Sequence, residues 1–536
     1  MTLEFVLYNR MTLRKASAAV RATLPSRFEI AIAIFLLGTV LVAGCGTPLN
    51  STASFTATPA ASQPALTLTA ASPVDPPTIT PSSTATATAA AVQVPLTHYH
   101  LSVQFDYTSH HVAVAETIMI TNRWEDPLLS LVLDVEPDEY SDVFVLNSIA
   151  LNGTSLLDTG AYTLKANKLE IPLSEPLMPG IALTLSLDYE LFLPPIMSEA
   201  SSSFRPDPFG FSDHQTNLVN WYPYLAAYDP GQGWIIHDRY AFGEHEVYDA
   251  ADYSIDLELV NPPADLVIAA SAPNDAPQDQ NGVIHYSLPR ARTFAISAST
   301  GYVISTRQVG STTVTSYYFP WDGSAGEAAL DATANALALY SELFGPYERP
   351  SLNVIEADFL DGMEFDGLYF LSNGFYNLYD GTPSGYLTAI AVHETAHQWW
   401  YGKVGSDQAM EPWLDEAMST YTEKLYYENV SPGSLSWWQS ARIDYFAPQG
   451  YINLPVRDYR YYEPYRNSVY LNGSHFLQDL RDLIGDDAFF AFLKDYATKF
   501  AYQRTTTKDF FTLLSEHTSV DLAPLISQYF DPSLFP

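Results

Sequence analysis

The chain is nearly free of cysteine. Cys45 is the only one in 536 residues, which excludes disulfides as a source of stability. Cations are also scarce, with 25 lysines and arginines against 61 aspartates and glutamates and a net charge of −36. A body this acidic repels nucleic acid and anionic lipid headgroups, so no nucleic-acid partner is expected. The acidity reads as a solubilising surface rather than a trap for cationic substrates. The apolar run from Ile30 to Ala43 is short for a membrane-spanning helix. Residues 46 to 95 have almost no charge and almost no aromatics, with only Asp75 and Phe55 to break an Ala, Thr, Ser and Pro background. Such a stretch cannot bury enough apolar surface to offset its ordering entropy.

What is present begins with an export pattern. Arg10, Arg14, Lys15, Arg21 and Arg27 precede the Ile30–Ala43 run, as a basic region precedes the core of a signal peptide. The run ends Leu41-Val42-Ala43-Gly44-Cys45, which resembles a bacterial lipobox. The expectation is a signal peptide over 1–45 and a lipid on Cys45 that anchors the chain to a membrane outside the cytoplasm. Residues 46–95 then form a disordered tether. Met11 is a possible alternative start.

The remainder has an ample core, since 47% of all residues are hydrophobic and 14% aromatic. Alternation from Tyr99 through Leu101, Val103, Phe105 and Tyr107, with turns at Asn152-Gly153, Pro179-Gly180 and Pro194-Pro195, predicts an antiparallel, sandwich-like β domain over 96–305. One strand is expected over 293–304. Residues 201–250 are aromatic and irregular, and a loop of that length is expected to border the functional cleft. Its His214, His237 and His245 read as ordinary histidines. From Ala329 to Leu343 apolar residues recur at steps of three and four, and a mainly helical domain is expected over 306–536. Its helices are placed near 384–401, 413–429, 468–484, 486–499 and 507–516, with Ser468 as a cap. The fold class is α+β.

The chemistry concentrates at His393-Glu394-Thr395-Ala396-His397. Histidines at i and i+4 share one helix face and can direct two imidazole nitrogens to one ion. Glu394 is one step on, placed to hold a water without ligating. After eighteen intervening residues comes Glu416, at the start of a second expected helix, and it supplies a third ligand. Two histidines, a carboxylate and an open position are what catalytic zinc requires. By residue type, Glu394 is the general base, and one Zn2+ per chain is expected.

These motifs together resemble the M1 family of zinc aminopeptidases, gluzincins with a thermolysin-like catalytic domain. Gly362-Met363-Glu364-Phe365 is similar to the family's Gly-x-Met-Glu-Asn motif, with Phe365 in place of asparagine and Asp361 before the glycine. Trp413-Leu414-Asp415-Glu416-Ala417 is similar to Trp-Leu-Asn-Glu-Gly, and Tyr470-Leu471-Asn472-Gly473 to Tyr-x-Lys-Gly without the lysine. Tyr465 stands where many members keep another tyrosine. The resemblance covers 96–536 and implies a chain without the further helical domain of longer members. It implies that Tyr470 donates to the oxyanion. It also implies that Glu364, flanked by Gly362 and Met363, binds the free α-ammonium of a peptide. Asp366 and Glu423 are expected behind the site. The activity so implied is removal of amino-terminal residues from peptides outside the cytoplasm. Alternatives are a gluzincin endopeptidase, because of Asp361 and Phe365, and a non-catalytic metal-containing binding protein.

Overall fold

The alternating strands close into sheets whose inner faces make one apolar core. The computed structural model describes residues 95–157, 160–197, 207–273 and 277–535. The signal peptide, Cys45 and all but the last residue of the tether lie outside them. Strand His98–Asp106 buries Tyr99, Leu101, Val103 and Phe105 and turns the residues between them outward, as a two-residue period requires. It lies inside a seven-stranded sheet, antiparallel to His111–Thr121 and parallel to Ala251–Leu259. That parallel pair departs from the antiparallel expectation; the other pairs in the sheet conform. Two four-stranded sheets and a two-stranded one complete this half among the described residues.

The expected strand over 293–304 is two strands, Ile296–Ser299 and Val303–Val309, in different sheets. Ser299 causes the break. Its hydroxyl accepts the Gly301 N–H at 2.9 Å, so the backbone turns instead of extending the ladder. The expected domain boundary at 305 to 306 falls inside Val303–Val309. That strand opens a five-stranded sheet, followed in space by Thr312–Tyr318, Ser351–Ala357, Leu368–Ser372 and, at the edge, Gly362–Phe365. Helix α1, Gly323–Phe344, packs on this sheet. A Cβ on Gly326 would stand 2.2 Å from the Tyr318 ring, so this approach depends on glycine.

Helices α2 (Tyr386–Ala396) and α3 (Trp413–Asn429) lie next, and α4 (Gly473–Ile484), α5 (Asp486–Lys499) and α6 (Thr507–His517) follow. Ser468 does not cap α4. The backbone is already helical from Tyr462, with a widened π turn over Arg466–Asn472, and the buried Ser468 hydroxyl donates to the Gln449 carbonyl at 2.9 Å. Among the described residues no helix is long and apolar enough to cross a membrane.

Residues 94–536 form one unit, and Arg292 is one of its fastenings. From the strand body its guanidinium donates to the carbonyls of Tyr401 (2.6 Å), Tyr248 (2.8 Å) and Gln503 (2.9 Å). Its backbone N–H donates to Asp366 at 2.6 Å, and Arg349 donates to the other Asp366 oxygen. Asp366 therefore serves this junction and does not stand behind the histidines. Replacing Arg292 by methionine strands buried carbonyls, each costing about 1–3 kcal/mol. We expect Arg292→Met to lower unfolding stability by roughly 3–5 kcal/mol, read as a lower urea midpoint. An unchanged midpoint would refute the fastening.

Candidate active site

Helix α2 carries His393 and His397 on one face, and α3 brings Glu416 against them. Glu416 Oε2 lies 3.2 Å from His393 Nε2 and 3.7 Å from His397 Nε2. Ligand atoms around one tetrahedral zinc, at bonds near 2.0–2.1 Å, lie about 3.3 Å apart. The three side chains thus converge at a separation that suits zinc, and all three are buried.

The other nitrogen of each imidazole is engaged. His393 Nδ1 is 2.9 Å from Glu423 and His397 Nδ1 is 2.6 Å from Asp415. A carboxylate on Nδ1 places the N–H there and leaves Nε2 as the lone-pair ligand. Glu423 is itself fixed by Arg442, at 2.8 Å and 3.2 Å, and by the Trp438 indole at 2.8 Å. Burial opposes its ionisation, but Arg442 and His393 outweigh burial and hold its pKa below the usual carboxylate value. Glu423 thus stands where it was expected. Asp415 orients His397 in the same way, a role its place next to Glu416 does not advertise. Burial also opposes charge on His393, yet hydrogen bonds to Glu416 and Glu423 raise its pKa to about 9. A metal at Nε2 competes with that proton.

Edge strand Gly362–Phe365 runs over α2. A Cβ on Gly362 would stand 2.0 Å from Glu394 Oε1 and 2.7 Å from the Ile390 side chain. Glycine is therefore what lets the strand reach the helix. Gly367, just after the strand, acts differently. At φ +70° it turns the chain, and a Cβ there would stand 2.3 Å from the Ser271 carbonyl oxygen. Glu394 Oε2 is buried without a hydrogen-bond partner among the described residues. Such an orphaned carboxylate oxygen suits a group that handles a water. Burial raises the Glu394 pKa well above the usual value.

Glu364 lies in the same cluster, with oxygen atoms of Glu364 and Glu394 and a ring nitrogen of His397 within 4.8 Å of one another. Burial pushes its pKa up to about 7, against the pull of His397 and with Asp415 and Glu416 adding. Tyr470 donates its hydroxyl to Glu416 Oε1 and packs against Tyr465, with ring centroids 5.6 Å apart. Met363 lines a small cavity beside Glu364.

Two residues here escaped the sequence reading. Glu244 comes from the irregular 201–250 segment, so that loop does border the cleft. Its carboxylate, with those of Glu364 and Asp415, forms a cluster within 4.8 Å. The Gln408 amide donates to Glu244 and, at 2.7 Å, to Asp415, and lies 3.4 Å from Glu364. Neither residue sits in a periodic element or a recognisable motif, so no sequence signal marks them. His214, His237 and His245 pair with Asp358, Asp407 and Glu136, outside the His393–His397–Glu416 centre.

Sheet edge, paired histidines and a glutamate from the next helix define a thermolysin-like zinc-peptidase domain. Residues 328–529 match the model of the Peptidase family M1 domain. The chain is 30% identical over 207 residues to aminopeptidase M1-D of Oryza sativa subsp. japonica, covering 36% of this chain and 24% of that one. It is 22% identical over 293 residues to leucyl aminopeptidase of Saccharolobus solfataricus, covering 51% and 37%. The chain thus spans between about a quarter and somewhat over a third of the length of these curated relatives. The crystal structure of the M1 zinc metallopeptidase from Deinococcus radiodurans shares the fold, with TM-score 0.57 and 20% identity over 82% of this chain and 95% of that one. The likeness to peptidase family M1 thus lies over residues 328–529.

The imidazole locks generate a prediction. Glu423→Gln weakens the orienting bond to His393, and such changes typically lower metal affinity about 10–100-fold. Competition with a fluorescent zinc chelator measures it, with circular dichroism confirming the fold. Unaltered affinity would show that Glu423 does not position His393.

Proposed function

We propose that this protein is a zinc-dependent aminopeptidase that hydrolyses the amino-terminal bond of peptides. The observation that carries the reading is the buried carboxylate pair Glu364 and Glu244 beside the Glu394–His397 centre. His393, His397 and Glu416 would hold one zinc ion, which when bound polarises the scissile carbonyl and lowers the pKa of water.

The chain's own residues do the rest. Glu394 takes a proton from the attacking water and passes it to the departing amine. Its orphaned Oε2 supplies the acceptor. The Tyr470 hydroxyl donates to the carbonyl oxygen as negative charge grows, and a donor of this kind contributes on the order of 3 kcal/mol. Glu364 and Glu244 receive the substrate ammonium. Anchoring that end fixes a single register for cleavage, one residue in. An ammonium also offsets the charges of Asp415 and Glu416, which add to burial in raising the Glu364 pKa.

The site of action follows from the amino-terminal sequence alone. A signal peptide ending at Cys45 supports an extracytoplasmic protein held to a membrane by lipid, and this requires membrane retention that depends on Cys45.

Two outcomes test the chemistry. Glu394→Gln should keep its metal, by metal analysis, and lose at least about 100-fold in kcat; normal turnover would remove the general base. A short peptide should be cleaved with a free amino terminus and resist cleavage when acetylated, with chelator abolishing turnover. Glu364→Ala should raise KM for the free form by about tenfold or more. Equal cleavage of both forms would make the protein an endopeptidase.

A further inference from the structure

Among the described residues, the buried arginines have clear partners, with one exception. Arg442 pairs with Glu423, Arg349 with Asp366 and Arg239 with Asp207, while Arg292 takes three carbonyls. Arg466 is only 6% exposed and makes no ion pair among the described residues. Its Nε and Nη2 both donate to the amide oxygen of its neighbour Asn467, at 3.0 Å and 2.8 Å. Its Nη1 is buried with no partner among the described residues. Leaving a buried cationic donor unpaired is costly, and the natural complement of a guanidinium is a carboxylate taken at two points.

The position of Arg466 says where that carboxylate comes from. Tyr462 stands four residues before Arg466, and Arg466 and Tyr470 both lie in the widened turn Arg466–Asn472, so the three are near neighbours along one helical run. Less than one widened turn separates Arg466 from Tyr470, whose hydroxyl touches Glu416. The guanidinium lies 6.0 Å from the Tyr462 ring, and Tyr462 feels the charges of both Asp361 and Glu416. Asp361 directly precedes the edge strand. Arg466 therefore belongs to the end of the cleft where that strand begins, and Glu364 to the far end. A peptide anchored at Glu364 and laid along the strand runs back past Gly362 toward Tyr462. Each extended residue advances about 3.3–3.6 Å, so a carboxylate one or two residues past the scissile bond comes within reach of a guanidinium. What covers Arg466 is the Phe446 ring, 4.0 Å above it on a turn whose Asp444 and Tyr445 are exposed.

We propose that Arg466 binds the C-terminal carboxylate of the substrate, so that the cleft selects free di- and tripeptides. The cleft then carries paired carboxylates for the ammonium at one end and a guanidinium for the carboxylate at the other. This rests on the aminopeptidase reading and adds the substrate class to it.

The test compares one tripeptide with a free amino terminus as the acid and as the C-terminal amide, using the full chain loaded with zinc. Amidation should raise KM by about tenfold or more and leave kcat nearly unchanged. Arg466→Met should bring the acid to the amide's KM without altering the amide's, and Arg466→Lys should restore part of the difference. Equal KM values for acid and amide in the unmodified protein overturn the carboxylate site while leaving the aminopeptidase reading intact, and this comparison needs no variant to fold. Failure to cleave either form overturns both.

Discussion

Each ligand imidazole is held from behind by a carboxylate, and the site depends on that pair of bonds. Glu423 on His393 and Asp415 on His397 set which nitrogen is free, and so where a metal can be held. Both carboxylates belong to α3, the helix that also presents Glu416. One helix therefore supplies a ligand and orients the other two, and its packing against α2 is a condition of the chemistry. Arg442 and Trp438 hold Glu423 from a third direction, which carries the constraint out into the helical body.

The edge strand imposes a second condition. Glu364 is useful only if its backbone lies close above α2, and Gly362 permits that because any side chain would strike Glu394. The strand body contributes Glu244 to the same cluster. Arg292 fastens the two halves through backbone carbonyls rather than through side chains that could rotate away. The cleft is thus built from a strand edge, a helix face and a loop held at fixed separations.

Much of this was legible in the sequence because it is local. Helical spacing delivers His393 and His397, the run to Glu416 leaves room for a turn, and α3 and α5 begin and end where periodicity places them. What was not legible depends on partners remote in the chain. Glu244 and Gln408 meet only in the fold, in segments without a repeating pattern. Alternation places the outward and inward residues of His98–Asp106 but cannot name its neighbours. Ser468 has the chemistry of a cap, yet the helix runs through it because its hydroxyl found the Gln449 carbonyl. Asp366, near Glu364 in sequence, was drawn to two arginines instead.

The parallel pairing of His98–Asp106 with Ala251–Leu259 sets the order in which the molecule can assemble. His98 hydrogen-bonds to Ser254, 156 residues along the chain, so one side of the first strand has no ladder until the later strand has been made. Closing so long a loop before any contact rewards it makes for slow, highly non-local folding. At synthesis rates of about 5–20 residues per second, the first strand waits on the order of ten seconds or more with a bare hydrogen-bonding edge. During that interval the nascent chain is open to strand addition by other chains, a hazard that ends only when Ala251–Leu259 arrives.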